Sequence, residues 1–138
     1  MNTLENFQNL NTGLLLQRLS IGILILLHGL TNLASDYLFI KSLLNGIGLF
    51  EFIAYLVFVG EIIAPLLIII GWRARLASLV LAFNMLVAIL MAHLADIFTL
   101  NAFGGWGIEL QGLFMFGSVV IFLLGAGKYA VSTTSIWD

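Results

Sequence analysis

Residues 50–70 read FEFIAYLVFVGEIIAPLLIII. The stretch holds Glu51 at its start, Glu61 near its middle and no cation. The hydrocarbon core of a bilayer is about 30 Å thick and needs about 20 apolar residues of helix to cross. A crossing segment must pair its own backbone N–H and C=O groups, which a helix does. A charge at mid-helix costs about 2.5–3.5 kcal/mol to insert, so Glu61 is expected to face other protein rather than lipid. Pro65 follows one turn later without an N–H. It is expected to kink the helix and free a carbonyl at mid-depth.

Three more stretches match this one in length and character: Leu14–Ala34, Leu76–Ala95 and Ile108–Ala126. The connections between them, Ser35–Leu49, Gly71–Arg75 and Asp96–Gly107, are short. Short connections favour antiparallel neighbours. The expected fold class is an all-α membrane protein, one domain over residues 1–138, with four transmembrane helices in an antiparallel up-down-up-down bundle. No run of about 10-residue alternating segments suggests a barrel.

Composition agrees. The chain of 138 residues is 62% hydrophobic and 9% charged, whereas soluble domains are about 25% charged. A water-soluble monomer is excluded. Five Lys and Arg against seven Asp and Glu leave no basic patch for nucleic acid. With no cysteine there is no disulfide, thiolate metal site or cysteine nucleophile in the chain. Met1–Asn11 carries Glu5 as its one charge. Without a positive n-region, the first stretch is expected to be a retained helix and not a cleaved leader. Arg18, Arg73, Arg75 and Lys128 fall on one side of the alternating topology and Lys41 on the other, which orients the bundle N-in and C-in. Trp72, Trp106 and Tyr129 fit interfacial anchors.

Polar residues inside the stretches are the candidates for chemistry. They are Arg18, His28 and Asn32 in the first, Glu61 in the second, His93 in the third and Glu109 at the start of the fourth, with Asn84 and Gln111 beside them. At 100° per residue, Arg18, Gly22, His28, Gly29 and Asn32 share about a third of the first helix. The two glycines there allow close helix approach. Asn84 and His93 come out about 180° apart, and His93 is taken as the inward one. Glu61 ranks first, with Arg18 as a candidate ion-pair partner. His28, Glu61, His93 and Glu109 together offer ligand types that suit a metal, although no short-range ligand motif is present. Glu109 alone also reads as a first-turn acid at a helix N-terminus. The order Arg-Leu, His, Glu occurs twice along the chain, as a parallel repeat would produce.

These residues resemble the DoxX family of small four-helix bacterial membrane proteins. Arg18-Leu-Ser-Ile-Gly22 through His28-Gly29 is similar to that family's opening motif. Gly60-Glu61, then Gly71-Trp-Arg-Ala-Arg75, His93 and Gly125-Ala-Gly-Lys-Tyr129 follow in its order. The sequence departs from the pattern at Asn32, where many members carry Lys, at Ala64-Pro65 in place of small glycines, and at Ala126 in place of proline. The resemblance implies a multi-pass protein of the bacterial inner membrane. It also implies a redox-associated, quinone-linked accessory subunit working with a protein partner or as a homo-oligomer. Quinone is the foremost cofactor candidate, ahead of metal or haem. The alternatives are a structural or recruiting subunit without its own chemistry, and a metal-handling or small-solute transport component.

Overall fold

The computed structural model describes residues 3–138, with side chains from residue 9 onward. Met1, Asn2 and the Glu5 side chain, on which the leader reading rests, lie outside the described residues. The chain is helical: α1 (Thr3–Ala34), α2 (Leu38–Gly46), α3 (Leu56–Phe58), α4 (Ala64–Ile70), α5 (Ala74–Ala92) and α6 (Glu109–Leu124). Turns of 3-10 helix at Glu51–Tyr55 and Leu94–Phe98 and a π turn at Val59–Ile63 complete it. Three helical stretches, Asn9–Ala34, Glu51–Ile70 and Ala74–Ala92, are long and apolar enough to cross a membrane. Glu109–Leu124 is a shorter apolar helix. It stops before Ala126 because Gly125 turns to φ +83°. The third expected stretch also ends early, at Ala92, where His93 leaves helical geometry (φ −129°).

Ser35–Leu49, expected as a plain connection, contains a helix of its own. Asp36 and Tyr37 both take positive φ and turn the chain into α2. Leu44 of α2 buries against Tyr37 and Ala54. Lys41 Nζ donates to Asp36 Oδ2 at 2.8 Å and to the Tyr55 hydroxyl at 2.9 Å, tying α2 back across the turn. The polar residues of this segment suggested a loop, but its apolar residues find a surface only in the folded chain.

Just before Pro65, where a kink is expected, the helix makes a π turn in which Ala64 N–H bonds back to Val59 O. Pro65 has no N–H to offer the carbonyl of Glu61, four residues earlier. That carbonyl lies against Gly29 of α1, so closely that a Cβ on Gly29 would collide with it. A Cβ on Gly22 would meet Ile69 Cγ1 at 2.5 Å. The glycine face of α1 is therefore the face packed on Glu51–Ile70, as small residues allow. Toward Gly71 the interior is closed by Ile21, Ile68, Leu81 and Ile121, with Ala74 and Ala77 beside them. Ser78 and Ser118 are fully buried there and donate to carbonyls of their own helices. Many large apolar side chains, Leu16, Phe83 and Leu113 among them, point outward, as a lipid-facing surface requires.

Residues 125–138 fold across one end of the helices. Arg18 Nη2 donates to Tyr129 O at 2.6 Å, and Val131 N–H to Ile70 O at 3.1 Å. Lys128 N–H donates to Asn11 Oδ1 at 2.8 Å. Arg73 and Arg75, read from sequence as topology determinants, also hold this tail. Arg73 N–H donates to Asp138 Oδ1, and Arg75 Nε donates to Asp138 O at 3.0 Å. Asp138 Oδ2 accepts from the Ser132 hydroxyl at 2.6 Å and from Ser135 N–H at 2.7 Å.

Those donors, Ser132 foremost, then Ser135 and Arg73, hold the Asp138 carboxyl below the usual carboxylate range. A lowered native value means that the clasp contributes fully above the unfolded value of about 3.9. The contribution is lost as pH falls through the lower native value. Limited proteolysis of the tail is expected to be slow and flat at neutral pH and to quicken as pH drops below about 4. Asp138→Ala should give fast cleavage at every pH. Equal resistance of the wild-type tail in acid and at neutrality would contradict the clasp.

Candidate functional site

Glu61 sits in the π turn and is 8% exposed. Its carboxyl is reached from two other helices. Asn32 of α1 donates Nδ2–H to Glu61 Oε2 at 2.7 Å. Asn84 of α5 packs against Gly60 and lines the same cavity as the carboxyl, and His28 of α1 lies within electrostatic reach of it. Gly60 makes room for this, since a Cβ there would meet Asn84 Cγ at 2.5 Å.

The carboxyl faces a cavity of about 270 Å³. Its polar lining is His28, Asn32, Glu61, Asn84 and His93, and Val57, Val87 and Met91 are among its apolar lining. A smaller space of about 120 Å³ lies between His28, Glu61 and Gln111, against Phe114. His28 is exposed at the rim, with Nδ1 bonded to Leu24 O at 2.9 Å and its ring edge-on to Phe114. An apolar groove of about 380 Å³ shares Val57, Asn84 and Met91 with the cavity and runs along Leu44, Val80 and Phe83. A chamber with a cluster of polar side chains in a mostly apolar wall thus adjoins an apolar slot at mid-helix.

His93 closes the far end of the chamber. As the residue that ends α5, it is half-buried, and its Nδ1 lies 3.0 Å from Asp96 Oδ2. Tyr37 was not among the sequence candidates. It is 2% exposed, and among the described residues its hydroxyl has no hydrogen-bond partner. Burial first, then the Glu61 carboxylate, pushes its phenol above the usual range, which puts it near the same carboxyl. Tyr37 was legible only as part of a loop.

Four expectations change. Arg18 does not pair with Glu61. It is 1% exposed and serves Tyr129 at the tail end. Glu61 lies beside Gly29, which is eleven residues from Arg18, or about 16 Å of helical rise. Asn84, read as pointing away, faces Glu61. His93 still reaches the chamber because it sits past the last helical residue, where the ideal 100° rotation no longer applies. Glu109 stands apart: it is exposed at the start of α6, against Gly105 and Asn101. The four-residue metal set therefore does not assemble. Among the described residues no three His, Cys, Asp or Glu side chains come together to hold a metal ion. The two Arg-Leu, His, Glu orders have different surroundings: His28 lies within electrostatic reach of Glu61, whereas His93 bonds Asp96 and Glu109 stands apart.

A family model, DoxX, matches residues 13–94, which is more than half of the chain and includes Arg18, His28, Asn32, Glu61, Asn84 and His93. The chain belongs to the DoxX family. It is a multi-pass membrane protein of that family, and its polar chamber lies almost wholly within the matched DoxX region. Helix α6 and the tail lie beyond that region. No curated protein and no solved structure matches the chain.

Proposed function

We propose that this DoxX protein is a quinone-linked accessory subunit of a membrane redox system, with the chamber at Glu61 as its quinone site. The observation that carries the reading is the adjacency of a cluster of polar side chains and an apolar slot at one carboxyl. Asn32, Asn84 and His28 surround Glu61 where the chamber meets the groove along Val80 and Phe83. A quinone has the same two parts, a ring with hydrogen-bonding oxygens and an apolar tail. Ligand sites of this kind are mostly apolar, with a few placed polar groups. Electrons would come from a protein partner, since the chain has neither cysteine nor a nucleotide motif.

In this reading α1, Glu51–Ile70, α5 and α6 form an antiparallel four-helix domain in the bacterial inner membrane, N-in and C-in. Arg18, Arg73, Arg75 and Lys128 lie at the inner end and the chamber in the outer half. The test is binding of a short-chain quinone to the purified chain. Glu61→Leu and Asn84→Ala should weaken it at least about tenfold, equivalent to about 1.4 kcal/mol, and Lys128→Gln should leave it unchanged. Equal affinity in Glu61→Leu would remove the proposal. A second reading, a recruiting subunit whose polar cluster only locks helix register, draws on the Asn32–Glu61 bond, which joins two helices directly.

A further inference from the structure

We infer that the chamber is a one-sided proton half-channel, with the His93–Asp96 pair exchanging protons between Glu61 and the aqueous phase at the far end from Arg73. The inference rests on the location of the site at Glu61, and its test does not need a bound quinone.

Three observations carry it. First, His93 spans the boundary. It lines the same chamber as Glu61, and its Nδ1 is 3.0 Å from Asp96 Oδ2 on the surface side. The side chains of His93 and Asp96 are 34% and 46% exposed. One ring nitrogen faces the half-exposed Asp96 carboxylate, and the ring belongs to a residue that lines the chamber. A histidine so placed can pass a proton from one nitrogen's partner to the other's.

Second, the chamber can carry the proton the rest of the way. About 270 Å³ is room for several waters at about 30 Å³ each. A buried water needs two to four polar partners, and His28, Asn32, Glu61, Asn84 and His93 supply them.

Third, toward the other end the interior is packed with apolar side chains. Ile21, Ile68, Leu81 and Ile121 fill the interior between the π turn and Gly71. Among the described residues, His28 and Tyr37 lie within electrostatic reach of Glu61, and His93 lines its chamber. Arg18, beyond the plug, is taken by Tyr129.

The transfer balances without a co-reactant. A proton from water binds Asp96, passes to one nitrogen of His93 while the opposite nitrogen releases one to chamber water, and ends on a Glu61 oxygen. The reverse sequence returns it to the same side.

The test is an external pH jump on proteoliposomes of the full chain, with Glu61 protonation followed by its carboxylic C=O infrared band and the band assigned by its loss in Glu61→Gln. Vesicles are sorted by orientation using protease access to the tail. In wild type the band should respond to a jump on the His93 side and not to one on the tail side. Asp96→Asn, a change at a half-exposed side chain, and His93→Gln should each slow the response at least about tenfold, as loss of a positioned proton carrier does. Lys128→Gln should not. Unchanged rates in both variants, a response from the tail side, or a band that answers neither side would overturn the half-channel. Quinone binding is measured on the same preparations. Bound quinone with unaltered proton kinetics sinks the half-channel alone. Slowed kinetics without any quinone binding sinks the quinone reading alone.

Discussion

Gly29→Val is expected to break the contact between α1 and Glu51–Ile70, and Gly29→Ala to weaken it severely. An added Cβ at residue 29 would collide with the Glu61 carbonyl oxygen and lie 2.8 Å from both the Glu61 carbonyl carbon and Ile62 Cδ1. The opposing atoms include backbone held in a π turn, which cannot swing aside as a side chain would. Two effects compete. Alanine is favoured over glycine in a helix by about 0.8–1.0 kcal/mol, and overpacking a tight contact costs typically 1–3 kcal/mol. The clash should win, because the obstacle is backbone. Gly13 supplies the control. It is on the same helix, and nothing lies within 4 Å of its added Cβ. Gly13→Ala should therefore stabilise by up to about 1 kcal/mol. Gly60→Ala should be intermediate, since the atoms nearest its added Cβ are those of the Asn84 side chain and not backbone. It should cost Asn84 its place at Glu61 more than it costs the fold. Unfolding in detergent, followed by circular dichroism, checks the order. Gly29→Ala as stable as Gly13→Ala would show that the helices do not approach there.

Arg18→Ala is expected to be the most destabilising change at the tail end, and Arg18→Met among the mildest. The Arg18 side chain is fully buried, yet among the described residues only Nη2 has a partner, Tyr129 O, and Nε and Nη1 have none. Truncation to alanine leaves a cavity, which for large-to-small core changes costs about 2–5 kcal/mol. It also removes a hydrogen bond from a charged donor, worth about 1.5–3 kcal/mol. Methionine loses the same bond but fills much of the space and removes a buried cation with two unsatisfied donors. Apolar replacement of buried charge is often neutral or better. Arg18→Met is expected within about 1 kcal/mol of wild type. Both variants should speed proteolysis between residues 128 and 137, because both free Tyr129. Equal loss of stability in the two variants would mean that the charge, not the volume, holds that end together.

The membrane character of the chain was legible from residues 50–70 alone, and composition made the same statement for the whole. Glu61 was legible as the leading candidate, because a carboxyl in a long apolar run has few places to go. The glycines of α1 were legible as a packing face for the same kind of reason: only a residue without Cβ fits so close a contact. Asn32 and His28 came with them, since they share that face of one regular helix. Helical rotation could carry the argument only that far. Asn84 and His93 are on opposite faces of an ideal helix, yet both reach the chamber, because α5 ends between them and the chain turns at His93.

What runs through the chain as local pattern is period, apolar length, and the small or proline positions that a helix can or cannot tolerate. These settled the helical stretches and the carboxyl at the centre of one of them. Tertiary structure decided the partners. Arg18 turns to Tyr129, 111 residues away in sequence, and Asp138 closes on Arg73 and Arg75 from the other end of the chain. Glu109 stays at the rim while Tyr37 moves inside. Each of those outcomes depends on where separate segments meet, and a buried charge or hydroxyl takes whatever polar group that meeting brings within reach.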